Sequence, residues 1–134
     1  MSLLRGVVSL KQFEIFIKNR PGELARVAEA LAANGINIVA IASERTRKPM
    51  IKIVTNDEQS TQSALSNGKF KFEEHELIVL ELSDSPGELV KIARKLANRG
   101  LNVESIHILG RQDEYTRIGI VVDNIEKAKD ALRL

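Results

Sequence analysis

The chain has 134 residues, a net charge of +2, and 43% hydrophobic against 28% charged residues, the profile of a folded globular protein rather than a disordered one. It contains no cysteine, which excludes disulfides, thiolate catalysis and Cys-based metal sites. Residues 1–66 carry +3 and residues 67–134 carry −1, so neither half is basic enough to predict direct nucleic-acid binding.

No apolar run approaches the ~18 residues of a membrane span, and the N-terminus lacks a signal-peptide apolar stretch; a cytoplasmic protein is expected. Leu4–Leu10 is strand-like, and Phe13-Glu14-Ile15-Phe16-Ile17 reads as a short buried strand. A helix is predicted next, with Leu24, Val27, Ala28, Leu31 and Ala32 at i, i+3, i+4, i+7, i+8 spacing. Pro21 suits its first turn and Gly35 its left-handed C-terminal cap. A second strand over Ile36–Ser43, a polar turn over Glu44–Pro49, a third strand over Met50–Thr55 and a weakly apolar helix over Glu58–Ser66 follow. Phe70-Lys71-Phe72 supplies a further strand.

The chain then repeats itself. Shifting by 65 positions superimposes Pro21-Gly22-Glu23-Leu24 on Pro86-Gly87-Glu88-Leu89, and also aligns Ala28, Leu31, Ala32, Gly35, Asn37 and Ile41 with identical residues. The repeat predicts a strand over Leu77–Leu82 and a helix carrying Leu89, Ile92, Ala93, Leu96 and Ala97, capped by Gly100. Ser85 and Glu88 stand in capping-box register. Strands over Leu101–Leu109 and Thr116–Val122 should flank a turn at Gly110–Tyr115, before a helix over Ile125–Leu134. Ile51-Lys52-Ile53-Val54 matches Ile118-Gly119-Ile120-Val121 at an offset of 67, so the second hairpin is two residues longer.

This alternation predicts an α+β fold of two ferredoxin-like units in tandem, residues 1–66 and 67–134, with antiparallel sheets and helices on one face. Nothing follows the last helix, so the fourth strand of each unit is expected at its front, joined by a hairpin at Ser9–Gln12 or Glu73–Glu76. The alternative is that each leading strand pairs outside its own unit.

The strongest local motif is Asn19-Arg20-Pro21-Gly22-Glu23-Leu24, repeated as Asp84-Ser85-Pro86-Gly87-Glu88-Leu89. A strand delivers the chain to a helix N-terminus, whose N–H groups and dipole attract a carboxylate. Gly22 and Gly87 permit close approach, and Asn19 and Asp84 are placed to accept from an ammonium group. Together they describe an α-amino-acid pocket. From the residues alone a second reading comes first: a helix start without ligand, with Asn19 or Asp84 bonded to local backbone. Asn37 and Asn102 read first as turn residues.

With Gly35-Ile36-Asn37-Ile38 and Gly100-Leu101-Asn102-Val103 after the two helices, the paired motifs resemble the ACT domain, a family of small ferredoxin-like regulatory modules. The resemblance covers nearly the whole chain. It implies amino-acid ligands held near the loop, at interfaces between ACT units. The matching positions are Asn19, Gly22, Glu23, Leu24, Asn37 and Ile38, and Asp84, Gly87, Glu88, Leu89, Asn102 and Val103. Some members place a His two residues before the motif Asn; here Ile17 and Leu82 stand there.

His75, expected in an inter-strand turn, and His107, in a strand, have no His partner at ligand spacing, so no metal site is expected. No nucleophile motif or phosphate loop is present, and no catalytic residue or cofactor is expected. The expected function is amino-acid-binding regulation of a separate enzyme or transcription partner, by a homodimer. A structural or protein-interaction module without ligand is the competing class.

Overall fold

The structure, a computed structural model, describes residues 10–44 and 48–134. These form an α+β fold of antiparallel strands and four helices, in two compact units. The first unit is Lys11–His75, and the second contains Glu76–Leu134. Among the described residues no helix is long and apolar enough to cross a membrane.

The first unit runs β1 (Leu10–Phe16), α1 (Glu23–Ala32), β2 (Ile38–Glu44), β3 (Met50–Thr55) and α2 (Glu58–Asn67), then the opening residues of β4 (Lys71–Ser83). Its strand order is β2-β3-β1-β4, with antiparallel β1–β3 and β2–β3 ladders. The fourth strand therefore follows α2 and lies beside β1, as the Phe13–Phe72 ring contact confirms. The fourth strand of this unit is thus not at its front. The Glu73–Glu76 hairpin is also absent: β4 runs straight through those residues, and the units divide between His75 and Glu76. The segment Lys71–His75 has no turn residue to break it, so extension continues. Residues 4–9 of the expected leading strand lie outside the described residues; the hairpin expected at Ser9–Gln12 is not seen in its described part, because Leu10–Gln12 already belong to β1.

The second unit continues β4 into α3 (Glu88–Asn98), β5 (Val103–Gln112), β6 (Tyr115–Val122) and α4 (Ile125–Leu132). Its described strand order is β4-β6-β5, antiparallel throughout. The two cores repeat residue by residue. Phe13, Ile15, Val27, Leu31 and Ile36 are buried in the first, and Ile78, Leu80, Ile92, Leu96 and Leu101 at the 65-residue offset are buried in the second. Beyond the hairpins the offset becomes 67, and Ile51, Ile53 and Leu65 match Ile118, Ile120 and Leu132.

The extra residues of the second hairpin do not enlarge its turn. A β-bulge between Ile108 and Gly110 shifts the register, and pairing then continues to Gln112–Tyr115. The turn expected at Gly110–Tyr115 shrinks to Asp113-Glu114, with Asp113 left-handed at φ 54°. In the first unit, Arg45, Thr46 and Arg47 of the corresponding turn lie outside the described residues.

Helices α1 and α3 end as expected. Gly35 and Gly100 are left-handed, at φ 66° and 71°. The Ile36 N–H donates to the Leu31 carbonyl at 3.0 Å and the Gly35 N–H to Ala32 at 3.0 Å, the paired bonds of a Schellman cap. The core-facing seam differs from the predicted stripe. Glu23, Val27 and Leu31 are buried in α1, and Glu88, Ile92 and Leu96 in α3. Leu24 and Leu89 are 51% and 50% exposed. A narrow i, i+4, i+8 seam suffices for a helix lying on a sheet, so the adjacent Leu-Ala-Ala positions face outward.

The short helices α2 and α4 are fixed by their caps. Asp57 Oδ1 accepts from the Ser60 N–H at 3.0 Å, and Asn124 Oδ1 accepts from the Lys127 N–H at 3.1 Å. The weakly apolar α2 adds a buried hydroxyl pair, Thr55 Oγ1 to Thr61 Oγ1 at 2.7 Å, with Thr61 also donating to the Asp57 carbonyl. The Ser60 hydroxyl and N–H together hold the Asp57 carboxyl below its ordinary value. Removing the cap in Asn124→Ala is expected to destabilise the protein by about 1 kcal/mol, measured as a lowered urea midpoint with unchanged m-value.

Candidate functional site

Each strand-to-helix junction is built around a left-handed glycine. Gly22 has φ 90° and Gly87 φ 87°, and both occupy the N-cap position. The helices begin at Glu23 and Glu88, so Pro21 and Pro86 lie in the preceding turn rather than in the first helical turn. A Cβ on either glycine would meet nothing within 4 Å. The requirement is therefore conformational: an L-residue is strained at this φ.

Neither N-terminus has a side-chain cap. The expected capping box at Ser85 and Glu88 does not form. With Gly87 as N-cap, the Glu88 N–H turns to the Ser85 carbonyl at 3.4 Å, and the Ser85 hydroxyl pairs with Ser83 at 3.0 Å. Apart from the Glu88 N–H, no first-turn N–H group of α1 or α3 is taken by a side-chain cap.

The two glutamates of the motif are turned inward. Glu23 Oε1 accepts from the Lys18 N–H at 3.0 Å, while Oε2 accepts from Arg26 Nε at 3.1 Å. Its carboxylate ties the end of the incoming chain to the first helical turn. The Lys18 N–H, opposed by desolvation and aided by Arg26 and Arg20, holds its carboxyl below the usual value. A lowered carboxyl pKa stabilises the fold above the unfolded-state value of 4.5, and that contribution is lost as pH falls through the folded-state pKa. Glu23→Gln should flatten the acid limb of the stability profile below about pH 4.5, a difference read by urea unfolding across pH. Glu88 is buried in the equivalent place and accepts from Lys91 Nζ at 3.0 Å.

Asn19 and Asp84 differ from the glutamates. Among the described residues neither side chain makes a hydrogen bond or ion pair, and Asp84 is held only through its N–H, which donates to the Glu114 carbonyl at 2.6 Å. The local backbone bond that would explain these residues without a ligand does not form.

A cavity opens beside each junction. The first, of about 260 Å³, is lined by Asn19, Gly22, Glu23 and Leu24, with Lys18 and Arg20 giving it a polar, cationic rim. The second, of about 430 Å³, joins Asp84, Glu88 and Leu89 to an apolar wall of Leu82, Ile106, Ile108 and Ile118. Sequence reasoning did not single out Ile106 and Ile108 as site residues; alternation along β5 puts both on one face, where they are exposed.

Five of the matched positions line neither cavity: Gly87, which caps the helix beside the second one, and four that lie elsewhere. Asn37 and Ile38 begin the β2 side of the first unit, and Asn102 and Val103 the β5 side of the second; none lines either cavity. The Asn37 N–H donates to Asn56 Oδ1 at 3.1 Å, and the Asn56 N–H returns to the Asn37 carbonyl at 3.2 Å. Asn102 repeats the exchange with Asp123. These asparagines close the ends of the hairpins, as turn residues. His75 lies in β4 rather than in a turn, beside Glu14 on β1.

Residues 11–66, most of the first unit, match the model of the ACT domain family. No curated protein matches the chain. Among solved structures, a protein of Bacteroides thetaiotaomicron is similar with a TM-score of 0.82 and 23% identity, over 95% of this chain and 88% of that one. The ligand-free regulatory subunit of aspartate kinase from Thermus thermophilus is similar with a TM-score of 0.63 and 24% identity, over 97% and 94%. E. coli aspartokinase III in complex with lysine and aspartate gives 0.61 and 16%, over 98% of this chain and 32% of the enzyme.

Proposed function

We propose that this chain is a tandem of two ACT units that binds a free amino acid and regulates a separate enzyme or transcription partner. The observation that carries the reading is the second junction. There an uncapped helix N-terminus, an unengaged Asp84 carboxylate and an apolar wall converge on one cavity. The α3 N–H groups would take the ligand carboxylate and Asp84 its ammonium group, while Leu89, Ile106 and Ile108 would take an apolar side chain. The second unit is assigned to the same family because its core and junction repeat those of the first. The amino acids named for E. coli aspartokinase III support the ligand class without identifying the ligand.

The exposed Leu89, Ile106 and Ile108 also form an apolar strip at the edge strand β5, which suits a homodimer. A ligand-free interaction module is favoured only by that strip. Isothermal titration against the twenty amino acids separates the two readings. Saturable binding of one small class supports the sensor, whereas silence up to millimolar concentrations with a stable self-association supports the module.

A further inference from the structure

We propose that Glu14, Glu73 and His75 form a site for a divalent transition-metal ion of the zinc class. The three donors come from two neighbouring strands of the first unit: Glu14 from β1, and Glu73 and His75 two residues apart on β4. Residues at i and i+2 of a strand share a face, so the pairing of β1 with β4 gathers them without help from a loop.

Their spacing is that of a ligand set. His75 Nε2 lies 3.1 Å from Glu14 Oε2 and 3.6 Å from Glu73 Oε2, and all three donor atoms lie within 4.8 Å of one another. A tetrahedral ion with ligand bonds of about 2.0–2.2 Å holds its ligand atoms about 3.3–3.6 Å apart. One imidazole nitrogen with two carboxylate oxygens is a donor set for zinc and its neighbours, leaving the fourth position to water.

The charge balance supports a cation independently. Among the described residues His75 is the sole ion-pair partner of both Glu14 and Glu73. Two neighbouring lysines pair with other carboxylates: Lys11 Nζ with Glu74 at 3.4 Å and Lys52 Nζ with Glu44 at 2.8 Å. Two carboxylates thus converge on one imidazole, and a divalent ion bound to its neutral form would balance both.

Tag-free full-length protein titrated with Co²⁺ and Zn²⁺ tests this directly, because the chain has no cysteine and only two histidines. The expected result is one equivalent of Co²⁺ with a visible d–d spectrum displaced by Zn²⁺, and a ring-proton NMR shift confined to His75. Glu73→Gln, at a side chain 60% exposed and so safe for folding, should weaken binding at least about tenfold, and His75→Gln more. An ion-pair cluster with no metal role predicts no saturable binding. That outcome, or a perturbed His107, or affinity unchanged in Glu73→Gln and folded His75→Gln, overturns the proposal.

Discussion

Replacing Asp84 by alanine is expected to weaken amino-acid binding by about 10- to 100-fold, the range set by about 1.5–3 kcal/mol for a hydrogen bond to a charged group. The effect should be clean, because Asp84 contributes to the cavity with a carboxylate that holds nothing else among the described residues. Folding stability should change little, since the segment is held by the Asp84 N–H, which alanine keeps. Asp84→Asn preserves shape and removes charge, so it should lie between wild type and alanine. The same substitution at Asn19 should cost less, because a neutral amide makes the weaker bond. Titration calorimetry on the three variants measures all of this. Equal losses at Asn19 and Asp84, or none at either, would remove the charge-based account of the junction.

The second large effect concerns the glycines. Gly22→Ala and Gly87→Ala force a Cβ into a left-handed N-cap, at a cost of about 1–2 kcal/mol each. No neighbour blocks the added methyl group, so the loss comes from backbone conformation. Asparagine, which tolerates this region, should recover part of it. Denaturant unfolding of the alanine and asparagine variants gives the ordering Gly, then Asn, then Ala. In Gly87→Ala, ligand affinity should also fall, because any relaxation of φ re-aims the first N–H groups of α3. If asparagine proves no better than alanine at both positions, left-handed strain is not what the glycines supply.

Much of this architecture is legible in the residues, and the errors have physical causes. The repeat located both cores, since substitutions such as Phe13 to Ile78 preserve hydrophobic character at fixed spacing. Left-handed caps at Gly35 and Gly100 were equally readable, because few residues adopt that conformation cheaply. The helix starts were misread by two residues: Pro-Gly-Glu fits a first turn locally, but the buried Glu23 carboxylate reaches back to Lys18 and fixes the start after Gly22. Periodicity alone also cannot rank two apolar stripes on one helix. It could not show that Leu89 leaves the core to join Ile106 and Ile108.

The continuous β4 was hidden for a related reason. Lys71–Ser83 carries a polar middle that reads as a turn, yet Glu74 and His75 have cross-strand partners on β1 that make extension favourable. The His-carboxylate group was invisible for the same reason, since Glu14 lies far from His75 in the chain. Asn37 and Asn102 show the converse limit: the repeat marks them strongly, but what it preserves there is a hairpin closure.

The central claim is that the Asp84–Leu89 junction receives an amino acid, and backbone-amide NMR during ligand titration tests it most directly. Chemical shifts of Asp84, Gly87, Glu88 and Leu89 are predicted to move saturably with one class of amino acid, with smaller changes at Asn102 and Asp123. Binding that leaves those junction amides unmoved while shifting residues elsewhere would contradict the account.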